Sequence, residues 1–245
     1  MDMVRQHGQI SVEQLCNRFE SSAETIRRDL SRLSTEGKIL KYHGGARLPL
    51  NNGEGPFQQR MRENIGAKRS IARIAVSLVE PGSTLFIDTG TTNLILAEEL
   101  ATHTTMEQLT IVTNSLEITR VIGNAPINHK LYLLGGEYFP ENRETAGSEA
   151  IAQLQSFQAH HAFITVTCVD DRAGATNFKA EEAQLARKMI SRSQTVTMLA
   201  DSSKFDRNAG YQVGALGAFD NLVCELPPCD KLMKALHREN VQVLY

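Results

Sequence analysis

Seven short apolar runs punctuate the second two thirds of the chain: TLFID (84–88), TIVT (110–113), LYLL (131–134), AFITVT (162–167), TVTMLA (195–200), LVCE (222–225) and VQVL (241–244). Between most of them lie stretches with helical spacing of apolar residues, such as NLILAEEL, SLEITRVI and EEAQLARKMI. Strands that are apolar on both faces must be covered on both, and intervening helices supply that cover. The pattern therefore confines this region to an α/β domain with a largely parallel sheet. Just upstream, Ile71, Ile74, Ala75 and Leu78 follow the i, i+3, i+4, i+7 spacing of an amphipathic helix.

The stretch LPLNNGEGP, Leu48 to Pro56, joins two prolines, two glycines and two asparagines with almost no apolar periodicity, and it reads as a linker. The expected organisation is a small head over residues 1–49, a linker over 50–66 and a body over 67–245. Charge divides along similar lines. From Met1 to Arg73, 13 Lys and Arg face 8 Asp and Glu, whereas the rest of the chain carries 13 against 20, within an overall net charge of −2. A basic head on an acidic body directs only the head toward a polyanion.

No apolar run approaches the length that crosses a bilayer, and the chain does not open on a secretory leader pattern, so a soluble cytoplasmic protein without a membrane partner is expected. Cys16, Cys168, Cys224 and Cys229 form no CxxC pair and no zinc-finger ladder with His. They are expected to be buried reduced thiols. His160 and His161 open a strand without a Cys or carboxylate at ligand spacing, which favours structural roles over a metal. No metal and no cofactor is expected.

Two helix starts are legible in the head. Ser11-Val-Glu-Gln14 and Ser21-Ser-Ala-Glu24 both fit the capping box, in which a serine caps a backbone N–H and the residue three positions on reaches back. In the second helix Ile26, Leu30 and Leu33 share one face, and Glu24, Arg27, Arg28, Ser31 and Arg32 lie around the other. A basic helix tightly joined to the one before it fits a helix-turn-helix, whose second helix enters the major groove, where arginines pair with guanine edges or hold phosphates. The run EGKILKYHGGARL then reads as a turn at Gly37, an extended segment, a Gly-Gly reversal and a return. That is a β-wing, lined with positive charge by Lys38, Lys41, His43 and Arg47. Candidate DNA contacts are Ser22, Glu24, Thr25, Arg27, Arg28, Ser31, Arg32, Lys41 and His43.

In an open parallel sheet, ligands bind beyond the carboxyl ends of the strands. The loop IDTGTT, Ile87 to Thr92, stands at such an end. Gly90 lets the backbone approach a ligand, Thr89, Thr91 and Thr92 offer hydroxyls, and the N–H groups opening the next helix attract an anion. Four further strand ends bring polar groups to the same edge: Asn114 and Ser115, Gly135 and Gly136, Asn177 and Glu182, and Lys204 in DSSKFDR. Glu182 shares a helical face with Ala186 and Met189, so it points toward the sheet, where a carboxylate accepts hydrogen bonds from sugar hydroxyls. Lys204 offers positive charge to a phosphate. Asp88 would repel a phosphate dianion on contact, so it is expected to organise the loop or bond a ligand hydroxyl.

The run SVEQLCNRFESSAETIRRDLSRLSTEGKILKYHGGARL resembles the signature of DeoR-family bacterial transcriptional regulators, with TIRRDL and the HGGA wing its most telling parts. The pieces GSTLFIDTGTT, IVTNS, LLGGE, the helix start with Glu182, and DSSKF are similar to that family's effector domain, so the resemblance spans essentially the whole chain. It is similar in particular to the glycerol-3-phosphate repressor branch. The resemblance implies a winged helix-turn-helix joined to an α/β effector domain that resembles ribose-5-phosphate isomerase and glucosamine-6-phosphate deaminase in fold and binds a phosphorylated sugar. In the family a fuller first helix precedes the region of Ser11, whereas Met1 to His7 here supplies only its last turns.

Two functions fit these residues. One is a transcription factor, expected to repress a sugar or polyol catabolic operon, whose affinity for double-stranded operator DNA is set by a sugar phosphate. The other is a sugar-phosphate isomerase or deaminase carrying an accessory DNA-binding head. Proton transfer between sugar carbons needs a general base and an electrophile on one substrate. Asp88, Glu181 and Glu182 are available as bases, but they complete no catalytic constellation, and an enzyme has little use for a basic winged head. A regulator is the favoured expectation. It is expected to be a homo-oligomer, dimer or tetramer, whose paired heads match DNA half-sites.

Overall fold

A computed structural model describes residues 3, 9–35, 39–42, 44–47, 55–103, 108–126 and 129–245. The chain divides into two compact units, Met1–Asn52 and Gly53–Tyr245.

In the first unit, strand β1 (Gln9–Ser11) leads into helix α1 (Val12–Phe19) and helix α2 (Ala23–Thr35), and β2 (Leu40–Tyr42) and β3 (Gly45–Arg47) form the wing. The three strands are antiparallel in the order β1-β3-β2. Ser11 caps α1 with both halves of the capping box, Gln14 N–H to Ser11 Oγ at 3.1 Å and Ser11 N–H to Gln14 Oε1 at 2.9 Å, an arrangement that contributes about 1 kcal/mol. The second capping box does not form as Ser21 with Glu24. Ser22 caps instead, its Oγ accepting from Thr25 N–H at 3.2 Å, while Ser21 Oγ donates to Phe19 O. The helix begins one residue later, so Glu24 falls at its second position, too early to reach back to the cap. Ile10, Val12, Leu15, Ile26, Leu30, Ile39 and Ala46 bury the two helices against the strands. At the wing tip Gly44 has φ +96°, and a Cβ on Gly45 would stand 2.4 Å from Ile10 O, so side chains are excluded where the hairpin closes onto β1. Gly37, Lys38, His43 and the turns of Met1 to His7 other than Met3 lie outside the described residues.

The second unit begins with α3 (Phe57–Arg62) and α4 (Ile65–Val76). The expected linker over 50–66 is thus corrected in its second half: residues 57–62 are helical, and Phe57 is buried in a core with Ile71, Ala75 and Leu85. Two apolar side chains, Phe57 and Met61, in a six-residue helix leave too short a period to read, and tertiary packing decides the structure.

Strands β4 (Thr84–Ile87), β5 (Thr110–Thr113), β6 (Lys130–Leu133), β9 (Ala159–Thr165), β12 (Ser193–Leu199), β14 (Asn221–Val223) and β15 (Gln242–Leu244) form one sheet in the order β15-β14-β12-β9-β4-β5-β6, with every pairing parallel. Each of the seven apolar runs supplies one of these strands. Helices α5 (Thr91–Thr102), α6 (Leu116–Gly123), α7 (Ser148–Leu154), α8 (Ala180–Ile190) and α9 (Asp230–Arg238) connect them. Alternation along β4 sends Phe86 into one core and Leu85 and Ile87 into the other, as the two-residue period of a strand requires.

Two additions escape the alternating pattern. The hairpin of β7 (Glu137–Phe139) and β8 (Glu144–Ala146) follows β6, and a small antiparallel sheet joins β10 (Cys168–Asp170), β11 (Gly174–Asn177) and β13 (Tyr211–Gly214) in that order. The chain leaves β4 for β5 and β6 on one side and returns as β9 on the other. The strand order therefore reverses at the carboxyl end of β4, the position where an open sheet forms a crevice for a ligand. Among the described residues no helix is long and apolar enough to cross a membrane. Cys168 and Cys224 are buried, and burial pushes the Cys224 thiol up to about 12. Cys16 is half-buried and Cys229 is exposed just before α9, which corrects the expectation of four buried thiols.

Candidate functional site

In the first unit α2 buries Ile26 and Leu30 and leaves Arg27, Arg28 and Arg32 exposed along the opposite face. Ser31 Oγ donates to Arg27 O at 2.7 Å, and Lys41 Nζ from β2 donates to Ser31 Oγ at 2.8 Å. Wing and helix are thereby tied into one basic surface. Ser22 and Thr25 stand at the helix start with their hydroxyls 3.0 Å apart, and Glu24 is exposed beside them. A helix presenting three arginines, with a lysine fixed beside them, meets the requirement for reaching phosphates and base edges from one face.

In the second unit the crevice at the end of β4 is built by buried polar groups that hold one another. Asp88 is fully buried; its Oδ1 accepts from Thr89 N–H at 2.8 Å, and its own N–H bonds Phe163 O at 3.1 Å. Burial pushes the Asp88 carboxyl well above the usual carboxylate range, the Thr89 N–H opposes this, and nearby Glu182 adds to it. Asn114 accepts from Thr89 N–H at 3.1 Å and donates to Thr145 O at 3.0 Å, which fastens the β4 loop to β5 and β8. Asn93 Nδ2 bonds Asp88 O at 2.8 Å and Phe163 O at 2.9 Å, and Thr165 Oγ1 donates to Thr89 O at 2.6 Å.

Gly90 caps α5 at φ +126°, and a Cβ there would stand 2.4 Å from Thr165 Oγ1. Only glycine brings this loop against β9. Thr91 and Thr92 follow in the buried first turn of α5, whose leading N–H groups have no intrahelical acceptor. Thr89 Oγ1, 7% exposed, has no hydrogen-bond partner among the described residues.

The other expected contacts divide into scaffold and lining. Ser115 Oγ caps α6 through Ile118 N–H at 3.3 Å; Gly135 N–H donates to Gln153 Oε1 at 3.0 Å; Gly136, at φ +136°, packs against Ala146 O; Asn177 Oδ1 accepts from Thr167 N–H at 2.9 Å. Their polar groups are committed to shaping the strand ends. Lys204 closes a single helical turn, Ser202–Lys204, half-buried near Lys68 and Asp201. Glu182 is largely covered, as its shared face with buried Ala186 and Met189 requires, and accepts from Asn142 Nδ2 at 2.5 Å and lies 3.6 Å from Lys179 Nζ.

Glu144, Asn142 and Arg60 belong to this cluster and were not legible as site residues. Glu144 is 1% exposed, its Oε1 accepts from Asn142 Nδ2 at 3.2 Å, and its carboxyl meets that of Glu182. Burial, then the neighbouring Glu182 and Asp88, push its carboxyl up to about 9. Asn142 also accepts from Arg60 Nη2 at 2.6 Å. The segment ENRET looks like a solvated loop, and its only signal is an acidic residue returning to the strand-end edge occupied by Asp88. Arg60 was hidden within the expected linker. Lys68, likewise unexpected, is buried on α4 and donates to Arg60 O and to Glu63 O at 2.7 Å; burial lowers its pKa. Among the described residues no three His, Cys, Asp or Glu side chains are placed to hold a metal ion. His161 is 7% exposed, stacks on Phe163 and shares a 2.7 Å hydrogen bond with Thr197 Oγ1, a core role.

The DeoR C terminal sensor domain model matches residues 63–225, and the DeoR-like helix-turn-helix domain model matches residues 1–51. The chain is 31% identical over 243 residues to the glycerol-3-phosphate regulon repressor of Escherichia coli (strain K12), covering 99% of this chain and 95% of that one. It is 31% identical over 245 residues to the HTH-type transcriptional repressor GlcR of Bacillus subtilis (strain 168), covering 100% and 93%. The HTH-type transcriptional regulator IolR of the same bacterium is 30% identical over 223 residues, covering 91% and 86%. Among solved structures, ribose 5-phosphate isomerase A from Methanocaldococcus jannaschii overlaps 56% of this chain and 53% of its own, with 17% identity and a TM-score of 0.42.

Proposed function

Because this chain belongs to the DeoR family of bacterial transcriptional regulators, we propose that it represses a sugar or polyol catabolic operon, and that a phosphorylated sugar bound in its second unit sets its operator affinity. The observation that carries the effector half is the crevice at the end of β4, where Gly90 brings unpartnered Thr89 Oγ1 and the first turn of α5 beside a cluster of buried carboxyls. Helix N–H groups and threonine hydroxyls suit a phosphate. Carboxyls and the Asn142 amide suit hydroxyls. In this reading Asp88, Thr89, Gly90, Thr91, Thr92, Glu182 and Lys204 surround the ligand, while Asn114, Ser115, Gly135, Gly136 and Asn177 hold the loops that shape its site. Arg27, Arg28, Arg32 and Lys41 grip the DNA.

The relatives named as transcriptional repressors, at 31% identity over nearly the whole chain, favour a receptor over an isomerase or deaminase. Burial of Asp88 favours its neutral form, which weakens its repulsion of a phosphate. In a homo-oligomer, occupancy of the two pockets would alter the spacing of paired heads and hence their fit to DNA half-sites. The test is a thermal-shift screen of phosphorylated sugars on the full chain, followed by DNA-binding anisotropy with each hit. A stabilising phosphosugar that releases operator DNA is expected. Consumption of that phosphosugar by the purified protein would reverse the assignment.

A further inference from the structure

A cavity of about 590 Å³ opens beside the carboxyl cluster, lined by Gly55, Pro56, Phe139, Asn142, Phe178 and Glu182, among others. Its chemistry is mixed in a particular way. Phe139 and Phe178 offer apolar faces, which suit the C–H face of a sugar carbon chain. Asn142, Glu182 and Thr167 stand around them and suit its hydroxyls. Lys179 is held over the Phe139 ring at 5.8 Å and beside Glu182 at 3.6 Å, so its charge faces a carboxylate. The cavity fits a neutral polyhydroxylated group better than a second phosphate. It is joined to the phosphate-suited loop through β9 and its continuation, where Thr165 holds Thr89 O and Thr167 lines the cavity.

One wall comes from the last residues of the linker stretch. Gly55 and Pro56 line the cavity directly, and α3 follows them. That helix also touches the loop between β7 and β8: Arg60 Nη2 bonds Asn142 Oδ1 at 2.6 Å and the Arg143 guanidinium lies 5.6 Å from the Phe57 ring, while Arg60 Nε bonds Gly55 O at 3.0 Å. Asn142 is the joint. Its Nδ2 serves Glu182 and Glu144 while its Oδ1 holds Arg60. A ligand hydroxyl that donates to Glu182 competes with the Asn142 amide for that carboxylate, and any shift of the Asn142 side chain is transmitted to Arg60.

Resting on the effector reading above, we infer that the hydroxyl-bearing carbons of the effector occupy this cavity, and that Asn142 passes their presence through Arg60 to the segment entering from the DNA-binding unit. Phe139 and Asn142 are then specificity-determining residues, and Arg60 is a positioning residue for the signal. The route is short because the cavity wall and the end of the linker are the same residues.

The test is hydrogen–deuterium exchange on the full-length protein with glycerol 3-phosphate, glucose 6-phosphate, fructose 6-phosphate and inorganic phosphate. Any phosphosugar that protects residues 88–94 is expected also to change exchange across 57–63, while inorganic phosphate protects only 88–94. Phe139→Ala is expected to weaken that phosphosugar about tenfold, the order of an aromatic contact, and to leave inorganic phosphate unaffected. Arg60→Gln is expected to abolish the response at 57–63 while saturating phosphosugar still protects 88–94. Protection of 88–94 with unchanged exchange at 57–63 would overturn this inference and leave the effector reading standing. No protection of 88–94 by any phosphosugar would overturn both.

Discussion

The two units of this chain place function on opposite sides of their surfaces. In the first, a core of a few side chains supports α2, and the proposed DNA contacts are exposed arginines on its far face. In the second, two large cores sandwich a seven-stranded sheet, and the candidate ligand groups are buried polar residues at its carboxyl edge. An exposed charge can change without disturbing the fold, whereas a buried loop threonine or carboxyl serves fold and ligand together. Substitutions in the head should therefore separate binding from stability, and substitutions in the body should tend to mix them.

The strongest break with that comparison is expected at Gly90. Gly90→Val forces a β-branched residue to φ +126° against Thr165, a strain of roughly 3 kcal/mol or more. Its melting temperature should fall by several degrees and effector binding should vanish, whereas a melt like that of the unsubstituted protein would mean that the loop is not packed against β9. Next in size, Arg28→Ala should weaken operator binding by roughly ten- to a hundredfold, the range of one good base contact, while the effector-induced thermal shift is unchanged. Thr91→Ala is the converse: about tenfold weaker effector binding, the loss of one hydrogen bond to a charged group, with operator affinity intact in the absence of effector. Loss of both functions in either variant would contradict the division of labour between the units.

How much of this was legible follows from the same contrast. The arginines of α2 were readable because an exposed face shows its charges at helical spacing, and the inner strands of the sheet because burial on both faces demands apolar runs; the edge strands β6 and β15 are apolar runs that stay exposed or half-buried. Glu144 and Asn142 were not, because a buried carboxyl in a short hairpin reads as ENRET, a polar loop. Only neighbours distant in sequence, Glu182 and Asp88, give it meaning. The helix carrying Arg60 was hidden by its brevity, six residues with one fully buried apolar side chain, Phe57, and the small sheet of β10, β11 and β13 by strands of three or four residues among turn formers. The cap at Ser22 rather than Ser21 shows that consecutive serines do not fix a helix start to one residue.

Smaller effects concern pH. Glu144 is held at about 9 in the folded protein against an ordinary 4.5, so the folded state binds this proton more tightly than the unfolded chain. The stability it contributes is complete below about pH 4.5 and is lost as pH rises through about 9. Glu144→Gln should flatten that alkaline decline and, near its upper end, raise the melting temperature by a few degrees, on the order of 1 kcal/mol. An unchanged alkaline limb would show the carboxyl to be ionised. His161 acts in the other direction. Its pKa, lowered by burial to about 4 from 6.5, means that protonation of the unfolded chain removes stability as pH falls from about 6.5 toward 4.

The central claim is that a ligand held in the acidic body governs the affinity of the basic head. Fluorescence anisotropy on a labelled operator duplex, at fixed salt, titrated with the phosphosugar that most stabilises the protein, tests it directly. The account predicts release, with operator affinity falling by about tenfold or more at saturation, a coupling typical of allosteric regulators. Operator affinity that stays constant across the full range in which the phosphosugar demonstrably occupies the protein would contradict it.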